Sequence, residues 1–538
     1  MNRRIILIAL AAMVMAGCNL PDNSQRQIFR YNESAGITTL DPAFAKDQSL
    51  IWGCTQLYNG LVRLDEQLQP QPCIASKWAI SPDGKTYTFT LRRDVLFHKS
   101  PLFGTPDSTR HVVAQDFVYS FNRIVDPATA SPGRWVFADV DSFTATDDTT
   151  LVIRLRQPFS PFLSVLGMMY CSVVPHEVVE HYGTDFRQHP CGTGPFHLQL
   201  WKENVKLVMR RNDNYFERDS TGRRLPYLDA VAVTFIVDKQ TNFLEFIKGN
   251  LDFLNSLDAS YKDEILTRTG QLKAKYADRI DMVSTPFLNT EYLGFRMEGA
   301  TSPLNDRRIR QAINYGFDRE KMMRYLRNGV GAPGCGGMVP QGLPGFDSVA
   351  DYGYDYNPTK AAQLLAEAGH PHGQGLPTLT LSTTSNYLDL CKYIQQQLGL
   401  LGLDIKVDVN PPAALSEQIA QGKCAWFRRS WIADYPDAEN YLSLFYSPNR
   451  CPAGSNYTRF NNKQYDRLYI KAKQTSDPTE RLALYRQMDR LVMVEAPVVI
   501  LYYDQVLHFT HKYVHGLRSN AMNALDLRYV TIDKSAKQ

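Results

Sequence analysis

The sequence VAVTFIVDKQTNFLEFIKGNLDF, residues 231–253, is the most informative segment for the fold class. Residues 231–237 are rich in β-branched and aromatic side chains and predict a strand. Thr241 starts a short helix that Gly249 ends, and residues 251–253 return to a strand. One face of this helix is expected to carry Phe243, Leu244 and Ile247. A strand, a helix and a strand in so short a stretch indicate a βαβ unit, and hence an α/β chain.

Other segments repeat these two patterns. Residues 85–91 alternate between apolar and polar, which predicts a half-buried strand with Tyr87, Phe89 and Leu91 on one face. In the second half of the chain, three helices are predicted from a capping residue that precedes an apolar face. The capping residues are Asn357, Asp477 and either Asn305 or Asp306. Strands that alternate with such helices argue for α/β lobes.

Length and charge limit the classes of function. A chain of 538 residues is long enough for two or three packed lobes. The formal net charge is +4, and Arg3 and Arg4 are expected to leave with a signal peptide. The small remaining charge creates no basic surface of the kind that attracts nucleic acid, so no nucleic-acid partner is expected.

The N-terminus has the pattern of an export signal. Arg3 and Arg4 precede an uncharged apolar run, residues 5–16, which is too short to span a bilayer. The sequence Met15-Ala16-Gly17-Cys18 resembles a bacterial lipobox, in which the cysteine is acylated and becomes the first mature residue. We therefore expect a lipoprotein signal peptide at 1–17, lipidation at Cys18 and a polar tether at 18–27. An ordinary signal peptide with an incidental cysteine is the alternative.

Eight further cysteines remain in the mature chain. An even number in an exported protein permits disulfides, but sequence alone does not choose a pairing. Buried free thiols are the alternative. No CxxC pair occurs among Cys54, Cys73, Cys171, Cys191, Cys335, Cys391, Cys424 and Cys451.

Catalytic and metal-binding motifs are absent from the sequence. His176-Glu177-Val178-Val179-Glu180-His181 looks like a zinc-protease motif, but its histidines are five residues apart. Two zinc ligands on one helix face need a spacing of four. The chain also has no GxSxG nucleophile elbow and no GxxxxGK[ST] phosphate loop. We therefore expect no enzymatic activity, no metal and no cofactor, and an exported hydrolase is disfavoured.

Several stretches together resemble the extracellular solute-binding proteins of the oligopeptide and dipeptide import family, family 5. They occur in the family's order across nearly the whole mature chain. In chain order they are IASKW (74–78), SPDGKTYTFTLR (81–92), VLFH (95–98), DFVYSFNR (116–123), GTGPF (192–196), RNDNYF (211–216), NDRRIRQA (305–312) with DR (318–319), YDYNP (354–358) with LLAEAG (364–369), and WIADYPD (431–437).

The resemblance implies an α/β fold of a particular kind. This is the two-lobed clamshell of type II periplasmic binding proteins, with the extra subdomain of the peptide binders. The chain would cross between the lobes near 285 and 498, and the crossings would form the hinge. The implied bounds are 26–48, 190–285 and 498–530 for lobe I, 49–189 for its extra subdomain, and 286–497 for lobe II.

The resemblance also implies a function. The chain would be the lipid-anchored solute-binding component of an ABC-type importer, capturing peptides between its lobes and delivering them to a membrane permease. It would be a monomer, anchored on the periplasmic side of a bacterial membrane. Two alternatives remain open: a binder of another small solute in the same family, such as a nickel complex or a sugar, and a periplasmic chaperone-like holdase.

Three ligand-binding residues follow from the last motif and the segment just before it. By similarity, Asp434 pairs with the terminal ammonium of a peptide, Arg428 meets the carboxylate of a short peptide, and Trp431 lines the cleft. Each has a structural alternative: Asp434 as a cap for the helix at 439–445, Arg428 as a solvated charge, and Trp431 as core. Asp437 looks more like a helix cap than a ligand residue.

Overall fold

The structure is a computed structural model, and it describes residues 26–255, 258, 261–299, 302–347, 351–533 and 535. The signal peptide, the lipobox with Cys18 and most of the tether lie outside the described residues. Within the described ranges, no helix has the length and apolar character needed to cross a membrane.

The described residues form nineteen strands and fifteen α-helices. The strands are β1 (Ile28–Asn32), β2 (Val62–Leu64), β3 (Pro70–Pro72), β4 (Ala75–Ile80), β5 (Thr86–Leu91), β6 (Val140–Asp147), β7 (Thr150–Leu155), β8 (Phe196–Lys202), β9 (Lys206–Arg211), β10 (Ala230–Thr234), β11 (Phe253–Asn255), β12 (Ile280–Phe295), β13 (Ala332–Pro333), β14 (Leu379–Thr383), β15 (Ile405–Val409), β16 (Trp426–Ile432), β17 (Val498–His511), β18 (Val514–His515) and β19 (Thr531–Ile532). The helices are α1 (Gln48–Leu57), α2 (Ala114–Val125), α3 (Phe162–Val165), α4 (His176–Tyr182), α5 (Lys239–Ile247), α6 (Lys262–Ile265), α7 (Ala274–Ala277), α8 (Arg307–Tyr315), α9 (Arg319–Leu326), α10 (Pro358–Glu367), α11 (Leu388–Gly399), α12 (Pro412–Ala420), α13 (Glu439–Leu442), α14 (Lys463–Gln474) and α15 (Pro478–Glu495).

The order strand–helix–strand is confirmed, with corrections to the bounds and to the helix face. Strand β10 ends at Thr234, α5 begins at Lys239 after its cap Asp238, and β11 begins at Phe253. Strand β1 lies between β10 and β11 and pairs with both in parallel, so α5 crosses over it. In α5, Phe243 and Phe246 are buried, whereas Leu244 is 45% exposed. At 100° per residue, Leu244 lies well away from the direction midway between the two phenylalanines. The predicted face therefore contained one wrong residue, and Phe246 takes its place.

Two lobes share the long strands β12 and β17. The largest sheet has the order β15-β14-β16-β12-β17-β11-β1-β10-β9-β8. Strands β16, β14 and β15 lie on one side of the long pair, and β11, β1, β10, β9 and β8 lie on the other. The pairing of β12 with β17 shifts register between Pro286 and Thr290. The two-lobed clamshell is confirmed, while the residue bounds of the lobes stay a prediction.

A separate four-stranded sheet, in the order β4-β5-β7-β6, forms the centre of the extra layer next to the first lobe. The predicted alternating strand is β5, and its Tyr87, Phe89 and Leu91 are buried as expected. Helix α2 lacks a capping hydroxyl, but the Asp116 carboxylate accepts the N–H of Val113 at 2.9 Å. This contact is one half of a capping box, in which a side chain of the first turn accepts the N–H of the residue that precedes the helix.

The predicted helix caps also form. The side chains of Asn357, Asp477 and Asp306 accept backbone N–H groups in the first turns of α10, α15 and α8. Of the two candidates for α8, the structure selects Asp306. Each accepted N–H would otherwise lack a partner within its helix.

The eight cysteines of the described chain are all free thiols, so the structure favours the buried-thiol alternative. Seven are buried and Cys335 is partly exposed. Burial raises the pKa of Cys191 to about 12 and that of Cys391 to about 11, so these thiols stay protonated at neutral pH. His176 and His181 lie on α4, and no cluster of three or more His, Cys, Asp or Glu side chains suited to a metal occurs among the described residues.

Candidate ligand-binding cleft

A cavity of about 720 Å³ lies between the lobes, within the size range of small-ligand sites. One wall consists of α1 with the loop after it, residues 167–170, and residues 518–529. The opposite wall is the segment 432–435, where β16 ends. The N–H of Ala433 donates to the carbonyl of Leu288 at 2.9 Å, which ties this segment to β12.

The GTGPF motif helps to position the first wall. The N–H of Gly194 donates to the carbonyl of Leu57, the last residue of α1, at 2.9 Å. A side-chain carbon at Gly192 or Gly194 would collide with the backbone of Leu57. Glycine is required here because two backbone segments touch.

Asp434 points its carboxylate into the cavity. Solvent reaches the carboxylate within the cavity, but the protein around it reduces its hydration. This partial desolvation raises the pKa of Asp434. The amide of Asn440 donates to Asp434 Oδ2 at 3.4 Å and partly offsets that effect. Among the described residues, no Lys, Arg or His side chain forms an ion pair with Asp434.

Three of the other four carboxylates that line the cavity have an ion-pair or hydrogen-bond partner. Glu66 pairs with Arg518 at 3.2 Å, and Asp526 pairs with Arg528 at 2.7 Å. Asp65 accepts backbone N–H groups within its own turn. Asp47, at the start of α1, resembles Asp434 in being exposed and in having no ion pair within the described chain.

The helix cap at the end of the motif is Asp437, as the sequence suggested. Its Oδ1 accepts the N–H of Glu439, the first residue of α13, at 2.9 Å. It also accepts the hydroxyl of Tyr485 at 2.7 Å. Asp434 therefore does not serve as that cap, and its carboxylate stays directed at the cavity.

Trp431 and Asp434 are held by the same side chain. The Oδ1 of buried Asn440 accepts the indole N–H of Trp431 at 2.8 Å and the backbone N–H of Asp434 at 3.2 Å. The indole packs, partly buried, against the hydrophobic core of the second lobe. Trp431 is not among the described residues that line the cavity, so its contact with ligand stays a prediction.

Arg428 is not a solvated charge. Its guanidinium forms an ion pair with Glu291 and lies 3.1 Å from the ring centroid of Tyr387. Glu291 is only 2% exposed, and burial raises its pKa while Arg428 opposes the rise. Arg429 lies on the other face of β16, over the ring of Tyr457. A ligand carboxylate at Arg428 would have to compete with Glu291, and that role stays a prediction.

Sequence reasoning missed Glu291, Tyr387 and the wall that faces Asp434. That wall presents Met168, Met169 and Tyr170. Glu291 lies 137 positions before Arg428, and no short motif links the two. Such partners are found only once the strands are placed side by side.

Comparisons with known proteins agree with this architecture. A family model described as "Bacterial extracellular solute-binding proteins, family 5 Middle" matches residues 69–451. The glutathione-binding protein of Escherichia coli O1:K1 is 26% identical over 518 residues, which cover 95% of each chain. The homologous protein of Shigella dysenteriae serotype 1 is 27% identical over 488 residues, which cover 90% of each chain.

Solved structures have the same fold. HbpA2 from Haemophilus parasuis superimposes with a TM-score of 0.80 at 23% identity, covering 94% of this chain and all of the other. The periplasmic binding protein DppA from Helicobacter pylori, in complex with the peptide STSA, gives 0.76 at 24% identity, covering 94% and 98%. With the family model spanning well over half of the sequence, the chain belongs to the bacterial extracellular solute-binding proteins of family 5.

Proposed function

We propose that the protein captures short peptides and peptide-like amines in the cleft and delivers them to an ABC-type importer. The observation that carries this proposal is the Asp434 carboxylate, which faces the cavity between the lobes without a cationic partner in the described chain. A ligand that fills the cavity would displace the water around this charge, which is costly unless a ligand ammonium supplies a partner. A carboxylate offers both the opposite charge and the hydrogen-bond acceptors that an ammonium needs.

The composition of the cavity fits a ligand with a polar backbone and variable side chains. Arg518 and Arg528, each of which forms an ion pair with a carboxylate, lie on the same wall as apolar groups. Thioethers from Met168, Met169 and Met522 supply flexible apolar surface, which adapts to side chains of different shape. The E. coli relative is named for glutathione and the H. pylori structure contains a peptide, and both of these ligands carry a free ammonium.

The remaining parts of the proposal concern where the protein acts. Cys18 would carry the lipid anchor and hold the protein on the periplasmic side of a bacterial membrane. The protein would act as a monomer that closes on its ligand and docks on a permease. Its lobe I would comprise 26–48, 190–285 and 498–530, with the subdomain at 49–189, and lobe II would comprise 286–497. It would release its ligand chemically unchanged.

Native mass spectrometry of the purified protein tests the ligand class. A ladder of small masses, each matching a peptide or a peptide-like amine, is the expected result. Added tripeptide or glutathione should raise the melting temperature by mass action and be recovered intact. One defined mass without an amine, or binding of a sugar or a nickel complex in place of peptides, would refute the peptide proposal. Cleaved peptide that persists through repurification would indicate an enzyme.

A further inference from the structure

The two lobes also touch outside the cavity lining. The ammonium of Lys473 lies 2.8 Å from the carboxylate of Asp139, a residue 334 positions earlier in the chain. Beside this pair, the hydroxyl of Ser160 donates to the carbonyl of Thr475 at 2.6 Å. Both contacts join the first wall's extra layer to the last turn of α14.

The ion pair is partly shielded from water. The side chains of Lys473 and Asp139 are 24% and 30% exposed. The amide of Gln157 donates to the other oxygen of Asp139 at 2.9 Å, and the Lys473 ammonium lies 5.2 Å from the Phe159 ring centroid. Burial disfavours ionisation of Asp139, but Lys473 outweighs it, and the pKa of Asp139 lies below its usual value. The carboxylate is therefore charged and oriented at neutral pH.

Tyr435 connects this pair to the ligand site. It follows Asp434 directly and is buried in the hydrophobic cluster of the first lobe, although it belongs to the opposite wall. Its ring meets the edge of Phe159 at 6.3 Å and lies 6.1 Å from the ring of Trp135. Its hydroxyl donates to the buried carboxylate of Glu439, which fixes the orientation of the ring.

A reciprocal contact comes from the first wall. Leu68, at the turn between β2 and β3, is 4% exposed and belongs to the hydrophobic cluster of the second lobe. Leu68 and Tyr435 thus each lie in the hydrophobic cluster of the opposite lobe. These contacts exist only while the walls are together, so they stabilise the closed form alone.

We infer that Asp139, Lys473 and Tyr435 form a clasp that holds the cleft closed and sets the rate at which ligand leaves. The inference rests on the proposed function for its ligand, but the closed state itself is measured without one. Asp139 and Lys473 are positioning residues, because they lie outside the cavity lining and act through Phe159 and Tyr435 on the segment that contains Asp434. A partly exposed ion pair of this kind predicts an effect of about 2- to 5-fold on the dissociation rate.

The test compares Asp139→Asn, Lys473→Gln and the charge swap Asp139→Lys with Lys473→Asp. The probe is trialanine, whose dissociation rate is followed by stopped-flow tryptophan fluorescence. Each single variant should release the peptide about 2- to 5-fold faster with little change in association rate, and the swap should restore slow release. High salt should reduce the difference between wild type and variants. Lys471→Gln is the matched control, because Lys471 is on the same helix but pairs with Glu480 within its own lobe.

Small-angle X-ray scattering of the ligand-free proteins separates this inference from the proposed function. Each single variant should have a larger radius of gyration than wild type and Lys471→Gln, because more molecules are open. If neither trialanine nor glutathione binds wild type, the peptide proposal fails, and the scattering comparison still decides the clasp. Equal radii together with equal release rates would overturn the clasp, as would a swap variant that releases peptide as fast as the single variants.

Discussion

Replacing Asp434 with asparagine is the most direct test of the ligand site. The change keeps the shape of the side chain and its contact with Asn440 but removes the charge. Losing one partner of a buried charge pair costs about 2–5 kcal/mol. Solvent reaches Asp434 in the empty cavity, and the Asn440 amide remains beside it, so the lower part of that range applies. About 2–3 kcal/mol corresponds to roughly 30- to 150-fold weaker binding of free peptide.

The assay is isothermal titration calorimetry in a double-mutant cycle. Wild type and Asp434→Asn are each titrated with a free tripeptide and with the same peptide acetylated at its N-terminus. The acetylated peptide has no ammonium, so it should bind wild type poorly and lose little further affinity in the variant. Asp47→Asn is the matched control, since Asp47 is an exposed carboxylate of the same cavity without an ion pair in the described chain. It should change affinity less than about threefold, well below the loss at a buried pair.

Two results would refute the reasoning. Equal losses for the free and acetylated peptides would mean that Asp434 only shapes its loop. A large, ammonium-dependent loss in Asp47→Asn with none in Asp434→Asn would move the anchor to the opposite wall. The melting temperature of each ligand-free variant, measured beside the titrations, excludes unfolding as the cause.

Three further predictions concern pH, the core of the second lobe and the anchor. Peptide affinity should be full above the raised pKa of Asp434 and fall as the pH drops through it, at a higher pH than for an ordinary aspartate; titrations from pH 7 to 4 check this. Glu291→Leu should lower the free energy of unfolding by about 3–5 kcal/mol in urea, because it leaves Arg428 enclosed without its partner, and a loss below about 1 kcal/mol would contradict the buried pair. Cys18→Ser should abolish incorporation of labelled fatty acid, whereas continued labelling would exclude Cys18 as the lipidation site.

Local elements were largely predictable from the sequence. Strand β5 and the caps Asn357 and Asp477 depend on residues a few positions apart, and the structure has them where the sequence predicts them. Leu244 was assigned to the wrong face because three apolar residues in one turn do not specify which of them meets the sheet. That choice depends on how α5 lies over β1, which is a tertiary contact.

The candidate site was only partly predictable. The WIADYPD motif named Asp434, and the structure places its carboxylate in the cavity. The same similarity named Arg428, just before that motif, but the structure pairs it with Glu291 on a neighbouring strand. Spacing along one segment indicates the direction in which a side chain points. It does not indicate which distant group will lie next to that side chain.

The residues in chain order were enough to predict the α/β class, the local strands and the capped helices, and their motifs predicted a two-lobed solute-binding protein. The folded chain was needed to learn which carboxylates of the cleft have no ion pair among the described residues, that Arg428 is neutralised, and that Lys473 meets Asp139 between the lobes. The two kinds of information differ in range. Secondary structure and caps depend on neighbours within a few residues, whereas charge pairing and cavity shape depend on groups separated by more than a hundred positions that meet only in the packed chain.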